Sequence, residues 1–197
     1  MERCVKMDGK VRTDHNFPAG FMDAVELDRN GDCFRLLYDT KGRFVLYRIG
    51  YEEIKFKLCR VNKVFISPNK ISVLVTRDEE RTIRYPDSLV KVNDTVKVDI
   101  ATGKMTAFLK FELGVTCMIV RGRNAGRVGI LMHVERHDGS FLIITVKDAE
   151  GHTFATRLKN AFVIGTANET LVSLPKGKGI EKSILEERDN AVKRGDL

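Results

Sequence analysis

Long apolar runs are missing from this chain. Those it has, such as Val115 to Val120, fall far short of the roughly 20 residues a membrane-spanning helix needs. The start, Met1-Glu2-Arg3-Cys4-Val5-Lys6, has no apolar signal core, which argues against secretion. The N-x-Thr triplets at Asn93 and Asn168 therefore read as chance matches rather than glycan sites. Cysteine is sparse. Cys4, Cys33, Cys59 and Cys117 are widely spaced and form no C-x-x-C pair, which excludes a zinc ribbon or a disulfide framework. Reduced, mostly buried thiols of a cytosolic protein are the simpler reading. No Ser or Cys sits in a nucleophile elbow. The acid pairs Glu52-Glu53, Glu79-Glu80 and Glu186-Glu187 are adjacent in sequence and so face apart or into solvent. Catalysis has no support, and no cofactor is implied.

What is present is basic charge on a globular chain. The 197 residues allow one large or two small domains, and 43% apolar content is enough for packed cores. Lys and Arg total 34 against 27 Asp and Glu, a net charge of +7. Such an excess favours polyanions, nucleic acid first and an anionic membrane second. A soluble enzyme of basic pI is the bland alternative.

Most of the chain reads as short strands, a mainly β fold. Val5 to Val11 is a strand–turn–strand unit around Asp8-Gly9, a two-residue hairpin signal. Phe21 to Leu27 and Cys33 to Tyr38 flank a second hairpin at Asn30-Gly31. Arg43 to Ile49 follows the Lys41-Gly42 turn. Further strands are predicted at Leu58 to Ile66, Ile71 to Thr76, Val96 to Ile100 and Met105 to Glu112. From Gly114, five short strands (Val115 to Val120, Val128 to Val134, Phe141 to Val146, Thr153 to Arg157, Ala161 to Ile164), most of them separated by turns with Gly, suggest a small barrel that closes its own edges. Leu174-Pro175-Lys176-Gly177-Lys178-Gly179 is a basic link. Ile180 to Lys193 is the best helix candidate, with Ile180, Ile184 and Leu185 on one face. The division expected is 1–25, 26–113, 114–168 and 169–197.

Charge placement says more than its sum. Between Lys41 and Lys63 stand seven basic residues and only two acids. Arg121, Arg123 and Arg127 share a glycine-rich turn, where backbone and guanidinium groups can approach a phosphate chain closely. Arg carries a forked donor set that fits phosphate and can also stack on bases. Ordinary solvated loop charge is the competing interpretation. His133-Val134-Glu135-Arg136-His137 is a poor metal motif, because Glu sits one place late for the zinc-protease signature and the segment reads as strand. Gly122-x-x-x-Gly126 lacks the Lys-Ser/Thr of a nucleotide-binding loop and opens a strand.

Val120-Arg121-Gly122-Arg123-Asn124-Ala125-Gly126-Arg127-Val128-Gly129-Ile130 resembles a KOW motif, found in ribosomal proteins and antitermination-type elongation factors. The likeness extends across the chain. Lys6-Met7-Asp8-Gly9-Lys10-Val11-Arg12-Thr13-Asp14, Phe17-Pro18-Ala19-Gly20-Phe21-Met22-Asp23, Tyr38-Asp39-Thr40-Lys41-Gly42-Arg43-Phe44, Arg81-Thr82-Ile83-Arg84-Tyr85-Pro86-Asp87 and Val146-Lys147-Asp148-Ala149 resemble small-subunit ribosomal protein four of the eukaryotic and archaeal type. So do Phe154-Ala155-Thr156-Arg157-Leu158, Phe162-Val163-Ile164-Gly165 and Leu174 to Ile180.

The resemblance implies an alpha-L domain remnant at 1–25, a central β domain at 26–113, a KOW-bearing SH3-like barrel at 114–168 and a basic tail with a helix at 169–197. It also implies that family members carry roughly sixty further N-terminal residues, so that the first hairpin, marginal alone, needs a surface to pack on. The role implied is non-enzymatic: a structural constituent of the small ribosomal subunit, bound to rRNA beside neighbouring ribosomal proteins, cytoplasmic and nucleolar during assembly. Carried over position by position, the RNA contacts fall on Lys10, Arg12, Lys41, Arg43, Arg121, Arg123, Asn124, Arg127, Arg157, Lys176 and Lys178. Neither a metal, a membrane nor a small-molecule substrate is implied. The alternative is an extraribosomal KOW module that binds RNA or the elongation machinery.

Overall fold

The computed structural model describes residues 3–77, 82–167, 169–175, 177 and 179–194, without the Arg194 side chain. Lys176 and Lys178 lie outside the described residues. Three antiparallel five-stranded sheets follow one another along the chain. The first holds β1 (Val5–Met7), β2 (Lys10–Val11), β3 (Ala24–Leu27), β4 (Asp32–Tyr38) and β5 (Phe44–Arg48), in the order β2-β1-β3-β4-β5. The second holds β6 (Phe56–Ile66), β7 (Ser72–Thr76), β8 (Thr82–Arg84), β9 (Thr95–Asp99) and β10 (Met105–Leu109), ordered β10-β9-β6-β7-β8. The third holds β11 (Thr116–Ile119), β12 (Val128–Glu135), β13 (Ile143–Lys147), β14 (Thr153–Arg157) and β15 (Ala161–Gly165), ordered β14-β13-β12-β11-β15. Mainly β architecture is thus observed, with α1 (Ile184–Arg194) near the end.

Local sequence explains the elements. Asp8 and Gly9 both take positive φ, 48° and 73°, as a type I′ hairpin turn requires. Cys33, Arg35 and Leu37 of β4 alternate inward, the period of two of a half-buried strand. β6 is the long spine of its sheet. Its first half pairs with β9 and its second with β7, and residues 57–61 are buried without alternation because both faces are covered. In the third sheet, a 3₁₀ turn at Leu158–Asn160 joins edge strands β14 and β15. Three residues at roughly 2 Å of rise each hold those edges close, so the sheet curls around Cys117, Ile119, Leu131, Ile144 and Val146.

Several expectations change. The boundary after residue 25 falls inside β3, which pairs with β1 on one side and β4 on the other, so the first hairpin belongs to a sheet that runs to Arg48. The strand expected from Phe21 starts at Ala24, because Met22 turns to φ 70°. β8 is too short to show a periodicity. The helix starts at Ile184 rather than Ile180, because Ser183 and Glu186 form a reciprocal capping box. The Ser183 N–H donates to Glu186 Oε2 (2.9 Å), and the Glu186 N–H to Ser183 Oγ (3.3 Å). Its supposed apolar face does not pack, since Ile184 is 87% exposed.

The sheets meet over one core of Met22, Leu37, Leu58, Met118, Val128, Phe162, Ile164 and Val172, drawn from all three and from the tail. Buried cations fasten the junction. Arg35 donates to the carbonyls of Phe56 (3.0 Å) and Glu53, and burial pulls its guanidinium below its ordinary pKa against the opposing pull of Glu53. Lys57 pairs with Asp8 (3.0 Å) and Asp23. Arg60 reaches from β6 to the carbonyls of Lys159 (3.0 Å) and Ala161 (2.6 Å) and to Asn93 Oδ1 (2.7 Å). Each buried charge has partners, without which its burial would be prohibitive.

Candidate nucleic-acid interface

Two hairpin tips lie against each other. The β4–β5 tip is closed by hydrogen bonds from the N–H groups of Asp39 to Arg43 O and Gly42 to Asp39 O, both 2.8 Å. The β11–β12 loop is closed by Gly126 N–H to Ile119 O (2.7 Å) and Ile119 N–H to Arg127 O (2.9 Å). Gly126 sits at φ +87°, and a Cβ there would overlap the Asp39 carbonyl. A Cβ on Gly42 would lie 3.9 Å from that of Ala125. The two tips are therefore packed backbone to backbone, which only glycine at 126 permits.

This contact joins the turn that carries Lys41 and Arg43 to the loop that carries Arg121, Arg123 and Asn124. Arg121 and Arg123 are exposed, and no hydrogen bond or ion pair holds either among the described residues. Lys41 makes an exposed pair with Glu187 at 3.1 Å, and Arg43 one with Asp39 at 3.7 Å. Exposed pairs of this kind are worth little and exchange readily for another anion. Asn124 Nδ2 donates to Ala155 O at 3.3 Å. Arg157, two residues further along β14, lies over the Phe141 ring at 4.3 Å.

Arg127 is placed differently from the other arginines of its loop. Its fork pairs with Asp148 and with Glu181 (2.8 Å), and it lies 3.9 Å over the Phe154 ring. Its side chain is 12% exposed and that of Asp148 only 1%. The geometry gives it an internal partner set, so it braces the loop against β13–β14 and the tail instead of standing out toward solvent.

Lys10, Arg12 and Arg121 line a cleft of about 610 Å³ where the three sheets meet, together with Arg60 and Arg77. Arg12 lies 3.8 Å over the Phe17 ring, and Arg77 donates to Lys159 O at 2.7 Å. Sequence reasoning missed Arg77 and the aromatic residues of this cleft. The available signal was the Tyr38 and Phe44 pair flanking the Lys41-Gly42 turn, which face each other across β4 and β5.

Other motifs do not build a site. His133 and Glu135 lie on extended β12, and His137 Nε2 stands 3.4 Å from Glu135. Among the described residues no group of three His, Cys, Asp or Glu could hold a metal ion, and no helix is long and apolar enough to cross a membrane.

Comparison with known proteins gives concordant matches. Residues 30–105 match the profile described as Ribosomal family S4e, residues 114–147 the KOW motif, and residues 148–194 the 40S ribosomal protein S4 C-terminus. Small ribosomal subunit protein eS4 of Ixodes scapularis is 58% identical over 188 residues, 95% of this chain and 71% of that protein. The crystal structure of the 30S ribosomal protein S4e from Thermoplasma acidophilum superposes with a TM-score of 0.72 at 30% identity, covering 86% of this chain and 84% of that one.

Proposed function

The chain belongs to the S4e family of ribosomal proteins, and from that premise we propose that it is a non-enzymatic structural constituent of the small ribosomal subunit that grips folded rRNA. Its partners are rRNA and neighbouring small-subunit proteins, in the cytoplasmic ribosome after nucleolar assembly. The observation that carries the reading is the backbone contact at Gly126 between two hairpin tips, one carrying Lys41 and Arg43 and the other Arg121 and Arg123. Guanidinium groups held in this way meet phosphates without a further loss of loop entropy. Double-helical RNA hides its base edges in a deep groove and is recognised by shape and backbone, so neutralising phosphates from several turns suits it. Lys10, Arg12, Asn124 and Arg157 extend the contact on either flank. Lys176 and Lys178 belong to the same reading through the family resemblance alone. Arg127 acts behind the surface by holding the loop.

Gradient sedimentation tests the assignment. The tagged chain is expected to co-migrate with small subunits and to be released by high salt. Protein that runs free, or with RNA polymerase, contradicts it and favours an elongation-type KOW module.

A further inference from the structure

Four aromatic rings form a ladder from the shared core to the surface. Phe162, buried, meets Phe21 edge-on at 5.1 Å between centroids. Phe21 stacks on Tyr38 at 5.5 Å with planes 20° apart, and Tyr38 stacks on Phe44 at 4.6 Å and 25°. Phe44 is the last rung and is 49% exposed. All four rings line the 610 Å³ cleft, and Lys10, Arg12, Arg77 and Arg121 line it with them. A large ring left half in water, at the end of a stack and inside a rim of cations, is a built platform.

We propose that this cleft takes a single unstacked nucleotide, its base laid on Phe44 as a fifth rung and its phosphate against Arg121 and Lys10. The inference rests on the RNA-binding reading above and adds which part of the RNA enters. Tyr38 covers one face of the Phe44 ring, so a base stacks on the opposite face. The cleft volume lies within the range of roughly 300–1,000 Å³ of small-ligand sites. A duplex cannot use it, because its bases are already stacked on one another; a bulged or looped-out nucleotide can. Every base has a π-face, so discrimination among bases is weak. Asp8 and Asp23 also line the cleft, but both are engaged by Lys57, so the cationic rim stays dominant.

The chain contains no tryptophan, so Phe44→Trp installs a single fluorescent reporter at the platform while keeping an aromatic ring. The probes are a single-stranded oligoadenylate of about eight nucleotides, within the usual span of such sites, and a duplex RNA of equal charge. The single strand is expected to quench the introduced indole saturably and the duplex to leave it unchanged. Phe44→Ala, checked for an intact thermal transition, is expected to bind the single strand about tenfold more weakly, with an unaltered salt slope because no charge is lost. If the single strand binds without quenching and Phe44→Ala binds as tightly as the parent, the nucleotide cleft is refuted while RNA binding stands. Equal quenching by the duplex also refutes the cleft. Failure of both RNAs to bind removes the cleft and the RNA-binding reading together.

Discussion

At Gly126 a hydrogen in place of a methyl group decides whether two basic loops can touch. The residue occupies the left-handed region, and the Asp39 carbonyl fills the space a Cβ would need. Gly126→Ala is expected to lower the unfolding free energy by at least about 2 kcal/mol, the left-handed penalty plus the displaced backbone. Gly139, also at positive φ but with nothing within 4 Å, supplies the contrast: Gly139→Ala is expected to cost only about 1 kcal/mol. Denaturant midpoints of the two variants check this, and equal losses would show that the tips are not in contact. Burial alone pushes the Cys117 thiol from 9.0 up to about 12. The unfolded chain therefore releases its proton near 9.0 while the folded chain keeps it. The stabilising contribution is complete below pH 9.0 and falls away toward about 12. Across that window Cys117→Ala is expected to lose less stability than the parent, which parallel denaturation series would read.

The β11–β12 loop depends on one brace. Replacing Arg127 leaves the Asp148 carboxylate buried without its partner, so Arg127→Ala is expected to lose about 3–5 kcal/mol. Removing Asp148 as well should recover part of the loss, and the double-mutant cycle measures the coupling. A loss below about 0.5 kcal/mol, the range of an ordinary surface substitution, would mean that Arg127 is a solvated charge after all. How much was legible in the sequence follows the same division. Asp8-Gly9 announces its hairpin because few residue pairs adopt positive φ twice, and most strands of the third sheet show through the glycine turns between them. β8 did not show, because three residues carry no period. The separate role of Arg127 did not show either. It shares a turn with Arg121 and Arg123, and the acids that hold it lie 21 and 54 positions away. Phe44 had a local signal in Tyr38 across the Lys41-Gly42 turn, but the longer ladder through Phe21 to Phe162 joins residues far apart in the sequence.

For the whole molecule, the +7 charge is two populations. Of the basic run from Lys41 to Lys63, Lys57 and Arg60 are buried fasteners between sheets. The seven charges counted there overstate the surface available to a polyanion, and the weight of the proposed contact moves to Lys41, Arg43, Arg121 and Arg123. The three sheets, joined by a common core and by charges with internal partners, make a rigid frame from which those loops project. The most direct measurement is the dependence of affinity for naked small-subunit rRNA on salt, compared between the parent and Arg121→Ala/Arg123→Ala. Each phosphate neutralised contributes about 0.7 to 0.9 to the slope of log affinity against log salt, so the double variant is expected to be shallower by roughly 1.4 to 1.8. A slope unchanged from the parent would contradict the claim that these loops hold the RNA.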